Sequence, residues 1–303
     1  MDTALNADLL SDLCQAAGLP LPQREQIRVW SMSGVERLTF PNGTTTVFKY
    51  ATEPFTREDQ ALRLATRHGL PVPEVIASTV TGGWLGMLLE DLGPTFRDAD
   101  DRDGVAAAVV LHRADSAAEL PILDEEALRA LPNRALRHLH GLQEAGRWQN
   151  TTAIGEALTR IADAAEQRAG GTRIAPYGWV HSEFHPTSIH IGERGRHLLD
   201  FARAFTGPGL LDLASWYGTV DEPEPARVRT LIESYVDAGG HPDALAERGG
   251  LQAEAWALGW HRIWAVEWFM EQAICWINDP DTDPAYVKVV HRHLDDAERL
   301  LEA

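Results

Sequence analysis

The sequence predicts an α+β protein whose strands gather in its first third and whose helices fill most of the remainder. Between Gln26 and Glu90, short runs rich in β-branched and aromatic residues alternate apolar with polar positions and are broken by glycine, proline and asparagine. Beyond Gly93 the apolar positions recur at helical spacing over long stretches. Residues 178–212 interrupt that helical part with brief apolar runs and turns, and they set two acids, Glu183 and Asp200, at strand ends. Carboxylates at the mouths of adjacent strands can converge on one small space, as proton abstraction or Mg²⁺ binding requires.

Taken in order, residues 1–18 read as a short amphipathic helix, with acids and no basic start ahead of an apolar run. That is not a signal peptide. Three strands follow between Gln26 and Ala51, the second and third joined by Pro41-Asn42-Gly43, a strong hairpin signal. Lys49 lies on the third strand among Val47, Phe48 and Tyr50. A helix is expected from Phe55 to His68, capped by Thr56 and ended by Gly69 and two prolines, with Glu58 near its positive end. Two more strands, Pro71–Ala77 and Trp84–Glu90, complete a small antiparallel sheet.

Helices are then expected at Asp103–Ala118, Asp124–Ala145 and Ala153–Ala169, and after the strand-rich interruption at Arg227–Ala238, Leu251–Ile277 and Pro284–Leu301. Arg137-His138-Leu139-His140 reads as a solvated helix face. In the long helix Trp256, Trp260, Trp264 and Trp268 recur every fourth residue, a slanted stripe that reads first as core. The alternative is that some of these rings, with Glu267, Glu271 or Asp279, line a pocket for a cationic or ring-bearing molecule.

Composition narrows the function classes. With 303 residues and 44% hydrophobic content the chain can bury a large core. Its 27 basic against 45 acidic residues give a formal charge of −18, which repels nucleic-acid phosphates and anionic lipid surfaces and attracts cationic small molecules. Cys14 and Cys275 stand far apart in no metal-like spacing, so a reducing compartment, the cytoplasm, is expected. No run approaches the roughly eighteen apolar residues of a membrane span.

The run His181-Ser182-Glu183, then Phe184-His185-Pro186-Thr187, Ser188, Leu198-Leu199-Asp200 and Asp212-Leu213-Ala214 resembles the catalytic core of the aminoglycoside phosphotransferase and choline kinase-like family, distant relatives of protein kinases. The family pattern is His-Gly-Asp, four residues, Asn, a strand ending in a metal-binding Asp, and later a structural Asp in an apolar helix. The resemblance implies a bilobal protein-kinase-like fold, with a nucleotide-binding lobe over 1–91 and a helical catalytic and acceptor-binding lobe over 92–303. It also implies transfer of a phosphoryl group from ATP or GTP, with Mg²⁺, to a hydroxyl of a small molecule such as an antibiotic or related natural product.

Residue by residue, the resemblance assigns Ser33 and Gly34 to the nucleotide-covering turn, Lys49 to the phosphates, Glu58 to orienting that lysine and Glu90 to the hinge at the adenine edge. Asp200 binds the metal, His181 and Asp212 are structural, and the C-terminal helices supply the acceptor site. Glu183 stands at the catalytic Asp and Ser188 at the metal-binding Asn. A glutamate carries its carboxylate about one bond length further, and a misplacement of about 1 Å can cost about 100-fold, so the expectation is a re-spaced site. Two readings stay open beside an active kinase. One is a catalytically silent nucleotide- or ligand-binding protein of the same fold. The other is a zinc or iron site of His181, His185 and His190 with Glu183 or Asp200, against which HSEFH lacks the helical HExxH order.

Overall fold

A computed structural model of the chain describes residues 3–115 and 117–303, with side chains from Asn6 onward. Residues 1–2 of the expected N-terminal helix and Ser116 of the expected helix Asp103–Ala118 lie outside the described residues. In chain order the first elements are α1 (Thr3–Ala16), β1 (Gln23–Val29), β2 (Ser33–Thr39), β3 (Thr45–Thr52), α2 (Glu58–Arg67), β4 (Val75–Thr81) and β5 (Trp84–Glu90). Then come α3 (Asp101–Arg113), α4 (Glu125–Glu144), α5 (Thr152–Arg168), β6 (Tyr177–Val180), β7 (Ile189–Gly192), β8 (Gly195–Leu198) and β9 (Phe205–Pro208). The chain closes with α6 (Leu210–Ser215), α7 (Pro225–Asp237), α8 (Ala253–Glu271) and α9 (Asp283–Leu301). By internal contacts these form two compact units, one of residues up to Asp103 with Pro186–Ala204, the other of Gly104–His185 with Phe205–Ala303.

In the first unit the strands form an antiparallel sheet in the order β1-β2-β3-β5-β4. Alternation along the strands sends Leu38, Phe48, Tyr50 and Leu88 to one face, where Leu9, Leu10, Leu13 and Cys14 of α1 cover them. Those α1 positions share one helix face, so the amphipathic reading of the N-terminus is met. The expected hairpin turn is present, with Gly43 at φ 83° and the Thr44 amide and hydroxyl donating to Asn42 Oδ1 at 3.0 and 2.7 Å. Helix α2 starts later than expected. Thr56 does not cap it; its hydroxyl donates to Glu53 at 2.5 Å instead.

In the second unit α8 is apolar nearly all round and is buried among α4, α6, α7 and α9. Trp256 and Trp260 are fully buried, and both indole N–H groups donate to the carbonyl of Arg168, at 2.7 and 3.0 Å. Trp268 is also buried, while Trp264 is half-buried and stacks on His261, so three of the four rings are core. The helix ends at Glu271 and passes into a π-helical turn over Gln272–Trp276, where the sequence predicted one continuous helix. His138 is not merely solvated: its Nε2 lies 3.3 Å from buried Glu267, which Arg134 also approaches. Strand β9 was not foreseen, because Phe205-Thr206-Gly207-Pro208 has no alternation and forms by pairing with β6 and with the segment at Ile122. Among the described residues no helix is long and apolar enough to cross a membrane.

Two buried histidines of this unit are expected to make it less stable in acid. Burial, reinforced by Arg262, pushes both His261 and His293 down to about 3 from the ordinary 6.5. Folded, they stay neutral over a range in which the unfolded chain takes up their protons. The unfolded state therefore binds more protons between about pH 3 and 6.5, and stability is lost as pH falls through that window. The melting temperature of the whole chain is expected to fall steadily from pH 6.5 to 4, with a shallower slope in His293→Leu; an equal slope in the two proteins would remove His293 from the effect.

Candidate active site

The geometry of the first unit centres on Lys49. Strand β3 lies between β2 and β5 with Lys49 paired to Val35 on one side and Met87 on the other, so its side chain leaves the face opposite α1. The residue is buried, its Nζ donating to Glu58 Oε1 at 2.6 Å and also to Asp200 Oδ1. Burial works against the ammonium, but the charges of Asp200 and Glu58 outweigh it and hold Lys49 above its ordinary value. Glu58 is the first residue of α2 and 1% exposed; burial pushes its carboxyl above the ordinary value, against the pull of the Lys49 ammonium and the helix dipole toward the charged form. The structure thus brings together three predicted residues separated by up to 151 positions.

The hairpin of β7 and β8 delivers Asp200. Ile189 pairs with Leu198, and the Leu199 amide donates to the Ser188 carbonyl at 2.9 Å, which fixes the backbone just before the acid. Asp200 itself sits at φ 62°, a left-handed conformation that aspartate tolerates better than most residues. Its carboxylate keeps 24% of its surface accessible and lies 3.7 Å from the guanidinium of Arg28. Ser188 is buried at the end of a 3₁₀ turn over Pro186–Ser188. Oxygen donors of this kind, one carboxylate with a hydroxyl nearby in the chain, suit Mg²⁺ or Ca²⁺, which need few protein ligands when phosphate oxygens supply the others.

Other predicted residues stand elsewhere. Ser33 and Gly34 lie within β2, not in an open turn, and a Cβ on Gly34 would fall 2.2 Å from the Tyr50 ring, so packing explains that glycine. Glu90, at the end of β5, pairs with Arg194 and accepts from the Glu74 amide at 3.3 Å. It lines a cavity of about 410 Å³ with Thr45, Asp91 and Glu193.

In the second unit Asp212 is the organising acid. Wholly buried in α6, it accepts the backbone N–H of His181 at 2.9 Å and of Ser182 at 3.0 Å, one on each oxygen. His112, at the end of α3, places Nε2 3.3 Å from Asp212 Oδ2. Ser182 takes a positive φ of 74°, and Ser215 donates to the Phe184 carbonyl at 2.8 Å. Phe184 is buried against the rings of Trp216 and His181. Glu183 is therefore an exposed carboxylate on a loop whose flanking residues are fixed. Neither His112 nor Arg28 was among the site residues expected from the sequence, because neither contact is local.

The three histidines are not gathered. His190 lies with Thr95 in the first unit, whereas His181 and His185 belong to the second, and among the described residues no group of three or more His, Cys, Asp or Glu side chains is disposed to hold a metal.

Comparison with known proteins places this geometry. An N-acetylmuramate/N-acetylglucosamine kinase of Pseudomonas aeruginosa is 32% identical over 183 residues, 55% of this chain. The aligned stretch spans about half (50%) of that curated relative's length. Choline kinase from Cryptosporidium parvum superposes with a TM-score of 0.62 at 11% identity, covering 98% of this chain and 96% of its own. Amicoumacin kinase, solved in complex with AMP-PNP, Ca²⁺ and Ami, gives 0.60 at 14% identity, with 97% and 96% covered. The fold is the protein-kinase-like α+β fold that the sequence led us to expect. Residues 38–251, which carry Lys49, Glu58, Asp200 and Asp212 alike, match the pattern that defines APH, the phosphotransferase enzyme family, and the chain belongs to that family.

Proposed function

We propose that this protein moves the γ-phosphoryl group of ATP or GTP to a hydroxyl of a small molecule, a sugar-like compound or a related antibiotic. The observation that carries the reading is the buried Lys49–Glu58 pair extended to Asp200. A lysine held charged and oriented by carboxylates on a sheet face is a cation preorganised to meet a further anion, and in this reading the phosphates of a nucleotide are that anion. In this reading Lys49 holds the phosphates, Glu58 orients it, and Asp200 with Ser188 holds Mg²⁺. The metal, when bound, neutralises charge on the phosphate oxygens. Ser33, Gly34 and Glu90 border the nucleotide, and the functional lobes divide at Asp91.

Glu183 takes the proton of the acceptor hydroxyl as that oxygen attacks the γ-phosphorus and the nucleoside diphosphate leaves. The loop behind it is built for this, since Asp212 ties His181 and Ser182 while leaving Glu183 exposed. The amino-sugar acceptors in the name of the Pseudomonas relative and the AMP-PNP and Ca²⁺ of the amicoumacin kinase complex support the acceptor class, the nucleotide and a divalent ion. The two unpaired cysteines fit a reducing cytoplasm.

The test is incubation with Mg²⁺ and ATP or GTP against N-acetylated amino sugars, aminoglycosides, other antibiotics and choline, read by mass spectrometry for one added phosphoryl group. Product is expected, and Glu183→Ala should reduce its rate by about 100-fold or more. The substitutions at Glu183 and Ser188 favour a second reading, a silent nucleotide binder. Nucleotide binding with no phosphorylated product and no nucleotide hydrolysis would turn the argument to that reading, and absence of nucleotide binding would end both.

A further inference from the structure

One extra residue in strand β1 decides where Arg28 points. Gln26 pairs with Glu36 and Arg28 with Val35, so Ile27 is bulged out of the ladder. Cross-strand partners share a face of the sheet. Val35 is itself paired with Lys49, which puts Arg28 on the lysine's face. The opposite face belongs to Glu36, which Arg24 binds at 2.6 Å. Without the bulge Arg28 would stand opposite Gly34 and turn to that other face, since a slip of one residue reverses every side chain. Bulges re-aim side chains in this way beside active sites. The result is a guanidinium 3.7 Å from Asp200 Oδ2 while Lys49 holds Oδ1.

We propose that Arg28 is a phosphate-binding residue, a second cation beside Lys49 that grips the polyphosphate of the nucleotide donor; the proposal rests on the kinase reading above. Four charged groups meet here, two carboxylates and two cations, so the cluster is balanced as it stands. A polyphosphate brings several further negative charges. Arg28 is the member able to turn to them, because its side chain is 59% exposed, against 10% for Lys49 and 24% for Asp200. A partly exposed ion pair at 3.7 Å holds it only weakly. Its planar fork matches two phosphate oxygens at once, whereas Lys49 is a buried point charge. In a chain of net charge −18, a cation steered onto this face also offsets the field that repels a nucleotide.

The experiment is calorimetric titration of the full chain, wild type, Arg28→Gln and Arg28→Lys, with ATP and GTP in Mg²⁺ and with adenosine and guanosine. Arg28→Gln is expected to weaken triphosphate binding by about 10-fold or more and to leave nucleoside binding within about twofold, with Arg28→Lys in between. Thermal melting should be unchanged, because the side chain is exposed. Equal triphosphate affinity in wild type and Arg28→Gln would overturn the proposal and leave the kinase reading standing. Equal weakening of triphosphate and nucleoside would also overturn it, since the loss would not lie at the phosphates. A wild-type protein that binds neither triphosphate would remove both the proposal and the reading beneath it.

Discussion

Asp200→Ala and Asp200→Asn should abolish metal-dependent phosphoryl transfer, with rates down by about a thousand-fold or more, while the protein stays folded. The carboxylate is the accessible acid at the end of the β7–β8 hairpin, and it also holds the lysine assigned to the phosphates. The two variants separate chemistry from backbone strain. Alanine at φ 62° is disfavoured by about 1–2 kcal/mol, whereas asparagine tolerates that conformation as well as aspartate. Lys49 keeps Glu58 in either variant, so its burial stays compensated. The measurement is phosphoryl transfer over a Mg²⁺ series beside thermal melting. Activity that survives in both variants would remove Asp200 from the mechanism, and a collapse of the Asn variant's melting curve would make its role structural.

The second large effect is expected at Asp212, and it is one of stability. Asp212→Ala leaves the amides of His181 and Ser182 buried with no acceptor. Each orphaned buried donor costs about 1–3 kcal/mol, so the variant should lose roughly 2–5 kcal/mol. For a unit of this size that lowers the melting temperature by about 5–15 °C. Asp212→Asn keeps one acceptor oxygen and should fall in between. Because the same bonds fix the loop that presents Glu183, phosphoryl transfer should weaken even at temperatures where the variant is folded. Melting of the Ala variant together with wild type would show that the loop does not depend on this carboxylate.

What the sequence revealed and what it concealed divide by the range of the interactions. The Asn42-Gly43 turn, the amphipathic α1 and the α2 glutamate are local signals, and the structure contains each. Lys49, Glu58 and Asp200 were legible as parts of one site only through the order of motifs along the chain, since no local pattern ties residues 151 positions apart. Thr56 was misread because a hydroxyl before a helix is a good cap, yet α2 begins at Glu58, so Arg57 takes the cap position and the Thr56 hydroxyl donates instead to Glu53 at 2.5 Å. Gly34 was assigned to the nucleotide-covering turn, and the Tyr50 ring adds a packing reason for glycine there that no local pattern displays. The partner of His138 and strand β9 were hidden because each is defined by a partner remote in sequence, and the β1 bulge because it exists only in the register with β2.

The path of the chain through its two compact units has a consequence for how the protein is made. The unit that contains Lys49 needs Pro186–Ala204 from far downstream. At a ribosomal speed of about 5–20 residues per second, roughly 8–30 s separate the synthesis of Lys49 from that of Asp200, which lies 151 positions later. Throughout that interval the nascent five-stranded sheet lacks the β7–β8 hairpin, and Glu58 is the lysine's sole carboxylate partner of the two. A fragment cut after Asp103 would be arrested at the same stage. The unit that contains Lys49 is thus completed only after much of the chain that follows the lysine has been made.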